Sequence, residues 1–540
     1  MSTPILMPQR DALLAAQRRN PMLRIQIAAF VALALLLLPF YRYELGPDGI
    51  SYLSIANQYA RGYWQEAVNA YWWPLYSWLL AFLLLPHIPG LVAVRIVAIG
   101  SGIMALYALH GLSNRFRLSP LLQQVVLWLA ALMLLSFVIE SETPDLLFTA
   151  LLLLYTAVIF HPAYPVRASG ILCGVLGVLS FYTKSYGFPF FLCHFCVFNA
   201  IAYWRQCDRS RRREVLRQFG GGLASFLVLS ALWIFVLHAR YGIWTLGTSG
   251  EFNHRLVGPE SAGYPQLRGL MPPASVHAIT IWQNPSPAML PPWSIVQNAR
   301  HEMKLVALHL HGIAYFWFRE SIFAPVLLTA YIALCLRIRK SRWEWTHPVV
   351  TICIFSAGYV LVTVEDRYFW YVELLLLLVA FRAFEILFEK TTATRIMYTV
   401  FAAILFLSFA IGPLGALRGH FRRNLALYGF AQTLKKGGQL SGPFASSENW
   451  AQSAYIGYLL QEPYDGVVVP EHDADEVARG LNPGFKGPEQ PVPALTAVRA
   501  QLSSEHIADV LVWPDCPIDA GSLGQPVAGF DGLRVLKTGK

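Results

Sequence analysis

The sequence predicts a polytopic α-helical membrane protein with about 11 transmembrane helices, interfacial helices and a small α/β domain at its carboxyl end. Three observations predict it: a 540-residue chain that is 55% hydrophobic and only 14% charged, a series of long apolar runs, and basic residues confined to alternate loops. A soluble domain carries about 25% charged residues, and the mean hydropathy here is +0.45. The 16 Trp suit interfacial anchoring. The +10 charge resides in short loops between apolar runs, which is a topology signal and argues against a nucleic-acid surface.

Apolar runs able to span a ~30 Å hydrocarbon core begin near Arg24, Leu91, Leu121, Pro144, Arg167, Phe188, Phe219, Ser321, His347, Tyr368 and Arg395. The first, Ile25 to Phe40, lacks a small-residue cleavage site and reads as a retained helix. Leu79 to Pro86 is apolar but short. If 72–90 does not cross and the amino terminus is cytoplasmic, one side collects Arg115, Arg117, Arg167, Arg205, Arg209, Arg211, Arg212, Arg213, Arg217, Arg337, Arg339, Lys340, Arg342, Lys390 and Arg395. The other keeps Arg42, Arg61, Lys184 and Arg367 in its short loops. That asymmetry makes 72–90 a re-entrant or interfacial element. His301 to Phe318 is a further candidate for an interfacial helix.

Residues 1–411 therefore form the membrane domain, with exported loops at 41–90 and 240–303. The second is long and rich in Pro and Gly, a length that is usually functional or disordered. From Gly412 the long apolar runs cease. Gly466 to Val469 and Asp509 to Trp513 read as strands, and Ala451 to Leu460 and Pro493 to Leu502 as helices, so 412–540 is expected to be an exported α/β domain.

With this topology the ionisable residues at membrane edges fall on one side: Glu44 and Asp48, then Glu140, Glu142 and Asp145, then Lys184, then Glu365, Asp366 and Arg367. Such residues are functional candidates by default. Each also has a plain structural reading: Asp145 as a helix-start dipole partner, Glu365-Asp366-Arg367 as a local ion-pair cluster, Lys184 as a snorkelling anchor. Asp48 precedes Gly49 in what reads as a loop with no cap to serve. A carboxylate can take a proton from an attacking hydroxyl or amine, and Lys184 and Arg367 can hold a phosphate leaving group. The combination favours group transfer from a lipid-linked phosphate. No His/Asp spacing supports a metal; a divalent ion is possible but unsupported, and no cofactor is implied. Cys193-His194-Phe195-Cys196 lies inside an apolar run and reads as packing.

Four blocks resemble the GT-C superfamily of polytopic glycosyltransferases, and bacterial relatives of protein O-mannosyltransferases and lipid A aminoarabinose transferases in particular. They are Asp48-Gly49-Ile50-Ser51-Tyr52 with Trp73-Pro74-Leu75-Tyr76; Thr143-Pro144-Asp145-Leu146; Gly174 to Lys184, ending Tyr182-Thr183-Lys184; and Asp366-Arg367-Tyr368. The resemblance implies a bacterial inner-membrane enzyme with a periplasmic site and a polyprenyl-phosphate sugar donor. It implies Asp48 as general base in an inverting displacement onto a protein, lipid or glycan acceptor. Glu142 and Asp145 would assist, Lys184 and Arg367 would engage the donor phosphate, and Glu44, Tyr52, Tyr76, Glu365, Asp366 and Tyr368 would support them. The rival readings are an oligosaccharide ligase or polymerase using His254, Arg255 and Arg268 of the long loop, and a lipid or solute transporter. The transporter would carry repeated, broken helices and charges at mid-membrane.

Overall fold

The computed structural model describes residues 21–161, 164–165, 168–337, 342–389, 395–487, 493–514, 516, 525–530 and 532–538. The segment before Pro21, and Arg167, Arg339, Lys340 and Lys390 of the loop-charge argument, lie outside the described residues. The chain opens with α1 (Pro21–Tyr41), three helices of the first loop, α2 (Pro47–Ala60), α3 (Trp64–Ala67) and α4 (Pro74–Leu84), and then α5 (Gly90–Arg115), α6 (Pro120–Glu140), α7 (Asp145–Ile159), α8 (Ser169–Thr183), α9 (Gly187–Arg205) and α10 (Arg209–Tyr241). The long loop holds α11 (Ser249–Leu256) and three single 3₁₀ turns. After it come α12 (Ala299–Glu320), α13 (Ala324–Arg337), α14 (Arg342–Tyr359), α15 (Trp370–Glu389), α16 (Arg395–Gly419) and α17 (Leu425–Gly437).

This is a multi-pass membrane architecture. Six helices among the described residues, α1, α5, α6, α9, α10 and α16, are long and apolar enough to cross; α12 and α13, bent by 99° at a short break, make a seventh if taken as one span. Hydropathy runs suggested eleven crossings. All eleven runs are helical, but α7 and α8 have 15 residues each, about 22 Å at 1.5 Å per residue. α15 carries Glu373, Arg382 and Glu385 and is buried almost all round, as expected of a central helix. In the first loop, α4 has 11 residues, about 16 Å and half the hydrocarbon thickness.

Small residues bring α8 and α10 together. A Cβ on Gly170 would lie 1.9 Å from the Gln218 carbonyl oxygen, and one on Gly174 would lie 2.3 Å from that of Gly222. Such seams let helix backbones approach where lipid supplies no hydrophobic drive. The seam fixes α8, whose carboxyl end carries Lys184.

The composition change at Gly412 falls inside α16, which continues to Gly419. A sheet follows, of β1 (Phe444–Ser446), β2 (Tyr464–Val467), β3 (Asp509–Val512), β4 (Gln525–Phe530) and β5 (Leu533–Lys537), in the order β2-β1-β3-β5-β4. β1 is parallel to β2 and β3, while β5 runs antiparallel to β3 and β4. α18 (Trp450–Leu460), α19 (Ala474–Leu481) and α20 (Leu495–Ser504) connect its strands. The strand expected at Asp509 to Trp513 is β3, whereas the one expected at Gly466 to Val469 runs two residues earlier, as β2. The first expected helix matches α18, whereas α20 starts at Leu495, so Pro493 precedes it rather than sitting in its first turn. α18 packs on the first loop, with the Tyr455 hydroxyl donating to the Tyr43 carbonyl at 2.6 Å.

Candidate active site

Asp48 does not sit in a loop. Pro47 starts α2 and Asp48 lies in its first turn, where proline needs no N–H partner and a carboxylate suits the dipole. Eleven of the sixteen residues from Leu45 to Ala60 are buried, more than a helix lying on a membrane surface would show, because the long loop and the tail fold over α2. Ile50, Tyr52, Leu53 and Ile55 are all buried.

The Asp48 carboxylate lies at the meeting point of three other segments. Its Oδ2 accepts from Arg367 Nη2 at 2.5 Å. Its Oδ1 accepts from the Trp282 indole N–H at 2.8 Å. Arg367 also contacts Glu365 Oε2 at 2.8 Å and lies 3.8 Å from Asp145 Oδ2. Asp145 in turn takes Lys184 Nζ on Oδ1 and the Thr143 hydroxyl on Oδ2. Lys184 Nζ stands 3.5 Å from the centre of the Tyr368 ring, a cation–π contact. Asp48, Asp145, Lys184, Glu365, Arg367 and Tyr368 thus form one continuous cluster drawn from four distant stretches of sequence.

Burial opposes the charge on Arg367, and Glu365, Asp48 and Asp145 more than offset it, so the guanidinium is held firmly charged. Burial pulls the Lys184 ammonium below the usual lysine range, with Asp145 partly offsetting the fall. Tyr52 is buried beneath the cluster at 5.0 Å from the Trp72 ring and 5.2 Å from the Tyr76 ring. Burial, with Asp145 and Asp48 nearby, pushes its phenol well above the ordinary tyrosine value. Tyr52 and Tyr76 are accordingly neutral ring surfaces supporting α2.

The other acids of the set have different partners. Glu142 is partly buried and accepts the Gly46 N–H on Oε2. Burial pushes its carboxyl up to about 7, against the lowering pull of that N–H and of Arg95. Glu44 turns outward to His420 at 2.6 Å and Arg423 at 3.0 Å, and its hydrogen bond raises the His420 imidazole. Asp366 pairs with Arg319 at 2.6 Å, while burial, partly offset by Arg319, holds its carboxyl up. Glu44 and Asp366 therefore anchor the rim, and neither joins the central cluster.

Two contributors carry no motif signal. Arg95, in the second turn of the apolar α5, is 2% exposed and donates to four carbonyls: Val138 at 3.1 Å and Ser141 at 2.7 Å on one turn, Tyr41 at 3.3 Å and Glu44 at 3.0 Å on the other. It ties the turn before Asp145 to the turn before Asp48. Trp282 reaches the site from the long loop, which is folded and packed over α2. Around it, Gln283 accepts from Ser54 at 2.5 Å, the Asn69 amide donates to the Gln283 carbonyl at 2.7 Å, and the Trp72 indole donates to the Trp282 carbonyl at 2.9 Å. The only hint of this in the sequence was the length of that loop.

The remaining loop residues hold the loop itself. Arg255 contacts Glu251 and the Pro287 carbonyl, His254 stacks on Trp293 at 4.3 Å, and Arg268 pairs with Asp475 at 2.9 Å. The Asp48 and Asp145 oxygens accept from Arg367, Trp282, Lys184 and Thr143. Among the described residues, metal-like spacing occurs at Glu471, His472 and Asp473, in the tail. His194 of the Cys193–Cys196 stretch has its ring nitrogens 2.8 Å from Tyr155 Oη and 2.8 Å from Thr351 Oγ1, so it is a packed core histidine.

No protein-family model matches the sequence, and no curated protein is a significant match. Solved structures do match. ArnT from Cupriavidus metallidurans, in the apo state and bound to undecaprenyl phosphate, aligns over 94% of this chain and 97% of its own, with a TM-score of 0.55 and 14% identity. The oligosaccharyltransferase of Archaeoglobus fulgidus, in complex with Zn and sulfate, aligns over 92% of this chain and 68% of its own, with a TM-score of 0.50 and 11% identity. Both are GT-C superfamily members, and the likeness establishes the fold.

Proposed function

We propose that this chain, folded as the GT-C enzymes are, is a glycosyltransferase that moves a sugar from a polyprenyl-phosphate donor to an acceptor at the periplasmic face of a bacterial inner membrane. The amino terminus is then cytoplasmic, and residues 412–540, with their mixed sheet, form a periplasmic domain. The observation that carries the reading is the gathering of two cations and two carboxylates at helix ends: Asp48 beside Arg367, and Lys184 on Asp145, which also lies near Arg367. The solved relative bound to undecaprenyl phosphate supports the same class of donor.

In this reading Asp48 takes the proton from the acceptor hydroxyl or amine as it attacks the anomeric carbon. The sugar–phosphate bond breaks on the opposite side of that carbon, giving inversion. Lys184 and Arg367 offset the charge that grows on the departing phosphate, in a partly buried site where such contacts are stronger than in open water. Asp145 orients Lys184. Glu142, through the Gly46 N–H, holds the turn from which α2 starts.

The test is transfer by purified protein in lipid nanodiscs, with a panel of radiolabelled polyprenyl-phosphate sugars and membrane acceptors. Asp48→Asn keeps the size and the Trp282 contact and should lower transfer by roughly 10²- to 10⁴-fold, the range for losing a general base. Transfer at the wild-type rate by that variant removes Asp48 from the mechanism.

A further inference from the structure

The segment from Gly258 to Gln283 runs as a strap between the tail and the site. At its start, the Asn482 side chain donates to the Gly258 carbonyl at 2.9 Å and the Pro259 carbonyl at 3.1 Å. Arg268 then pairs with Asp475 at 2.9 Å and donates to the Ala474 carbonyl at 3.2 Å. The Glu471 N–H donates to the Leu267 carbonyl at 2.8 Å, and Leu270 forms an antiparallel bridge with Gly466. The Met271 N–H donates to the Asp465 carbonyl at 2.5 Å, and the Tyr464 N–H to the Ile279 carbonyl at 2.8 Å. The last of these contacts falls three residues before Trp282. The tail strand β2, its following loop and α19 thus grip the strap along its length, and its far end delivers an indole N–H to Asp48.

Gly466 makes that grip possible. Its φ of +111° is one that side chains rarely adopt, and a Cβ there would lie 2.8 Å from the Gly269 carbonyl oxygen and 3.0 Å from the Met271 nitrogen. The two backbones meet with no space for a side chain. At the other end Trp282 is 7% exposed, with Tyr71, Trp72, Phe252 and Tyr264 rings 5.5 to 5.9 Å away. The indole is locked by its surroundings, so its direction follows the strap.

We propose that the carboxyl-terminal domain holds the strap that sets Trp282 against Asp48, making Trp282 a positioning residue for the base. The catalytic part of this inference rests on the glycosyl-transfer reading above; the mechanical part does not. Arg367 and Trp282 bind different oxygens of one carboxylate, which fixes its plane and the direction of its remaining lone pairs. An acceptor proton can then be met only from one side.

The experiment combines hydrogen exchange with kinetics on the full chain in nanodiscs. Gly466→Val should wedge the strap from β2, and Arg268→Ala with Asp475→Asn should loosen it without adding bulk. In each, exchange of peptides covering 262–283 should rise at least tenfold while the spanning helices stay protected. With a transferred sugar from the panel as substrate, kcat should fall about tenfold or more with KM for the donor unchanged. Trp282→Phe should lower kcat to the same extent without faster exchange, and binding of undecaprenyl phosphate should persist in all variants. Unchanged exchange in both tail variants overturns the mechanical claim. Wild-type kcat in Trp282→Phe, or a loosened strap with wild-type kcat, overturns the positioning claim. Absence of transfer from every donor by the wild type removes the enzymatic reading instead, and the exchange result still decides whether the tail holds the strap.

Discussion

Replacing Glu142 by glutamine should make the protein more stable than the wild type at pH 8 and less stable at pH 4.5. The carboxyl is buried between α6 and α7, and burial holds it up to about 7 against an ordinary 4.5. A raised carboxyl contributes its stability fully below the unfolded value. Between 4.5 and about 7 the unfolded chain ionises while the folded chain resists. Above 7 the folded state carries a buried carboxylate at full cost. That displacement corresponds to roughly 3 kcal/mol. Glutamine keeps an oxygen for the Gly46 N–H, but its amide group needs a partner of its own, which removes about 1–2 kcal/mol of the gain. The net expectation is about 1–2 kcal/mol in favour of the variant at pH 8. The assay is thermal unfolding in nanodiscs of both proteins from pH 4.5 to 8.5. All other titrating groups are common to the two, so the difference curve isolates position 142. It should rise between pH 4.5 and 7, passing from a less stable to a more stable variant, and then level. A flat difference curve, or a variant less stable at pH 8, would mean that the carboxylate is stabilised as an ion by Arg95, and the burial argument would be wrong.

Three further outcomes are expected. Lys184→Ala should weaken binding of undecaprenyl phosphate about tenfold or more, since contacts to charged groups are worth about 1.5–3 kcal/mol; titration calorimetry at two salt concentrations reads it. Arg95→Met should lower the unfolding temperature sharply, because it strands three buried carbonyls at about 1–3 kcal/mol each and the half-buried Glu44 carbonyl, and Arg95→Lys should recover only part of the loss. Gly174→Leu should separate α8 from α10 and destabilise by about 1–3 kcal/mol, visible as a lower melting temperature and as faster exchange in both helices.

Much of the scaffold was legible because helix-forming apolar runs report themselves residue by residue. Asp48, Asp145, Lys184 and Arg367 were legible as a set because each stands at the end of such a run, where a charge has few structural uses. Three things were hidden. Asp48 looked like a loop residue because Pro47 and Gly49 flank it, yet proline opens a helix as readily as it ends one. Arg95 is a single charge inside a hydrophobic stretch, and its four carbonyl partners exist only after folding. Trp282 lies in a segment without periodicity, positioned by contacts with residues almost two hundred positions later. Glu44 and Asp366 show the reverse: each sits in a motif beside a central residue, but its side chain points to a different partner.

The central cluster has a consequence for anything anionic that enters it. Three carboxylates, Asp48, Asp145 and Glu365, already share two cations, Lys184 and Arg367. A phosphate can gain these cations only by loosening a carboxylate that holds them, so the site works as an ion exchanger rather than an open cationic trap. Such a swap reduces the net electrostatic gain without abolishing it, and retention of a lipid-linked donor in the proposed reaction then falls mainly to its hydrocarbon chain. Free inorganic phosphate or a soluble sugar phosphate, having no chain, should compete poorly. In the proposed reaction the same swap frees Asp48 Oδ2 from Arg367 as the phosphate arrives while Trp282 still holds Oδ1, so the carboxylate is open to an acceptor only when a donor is present.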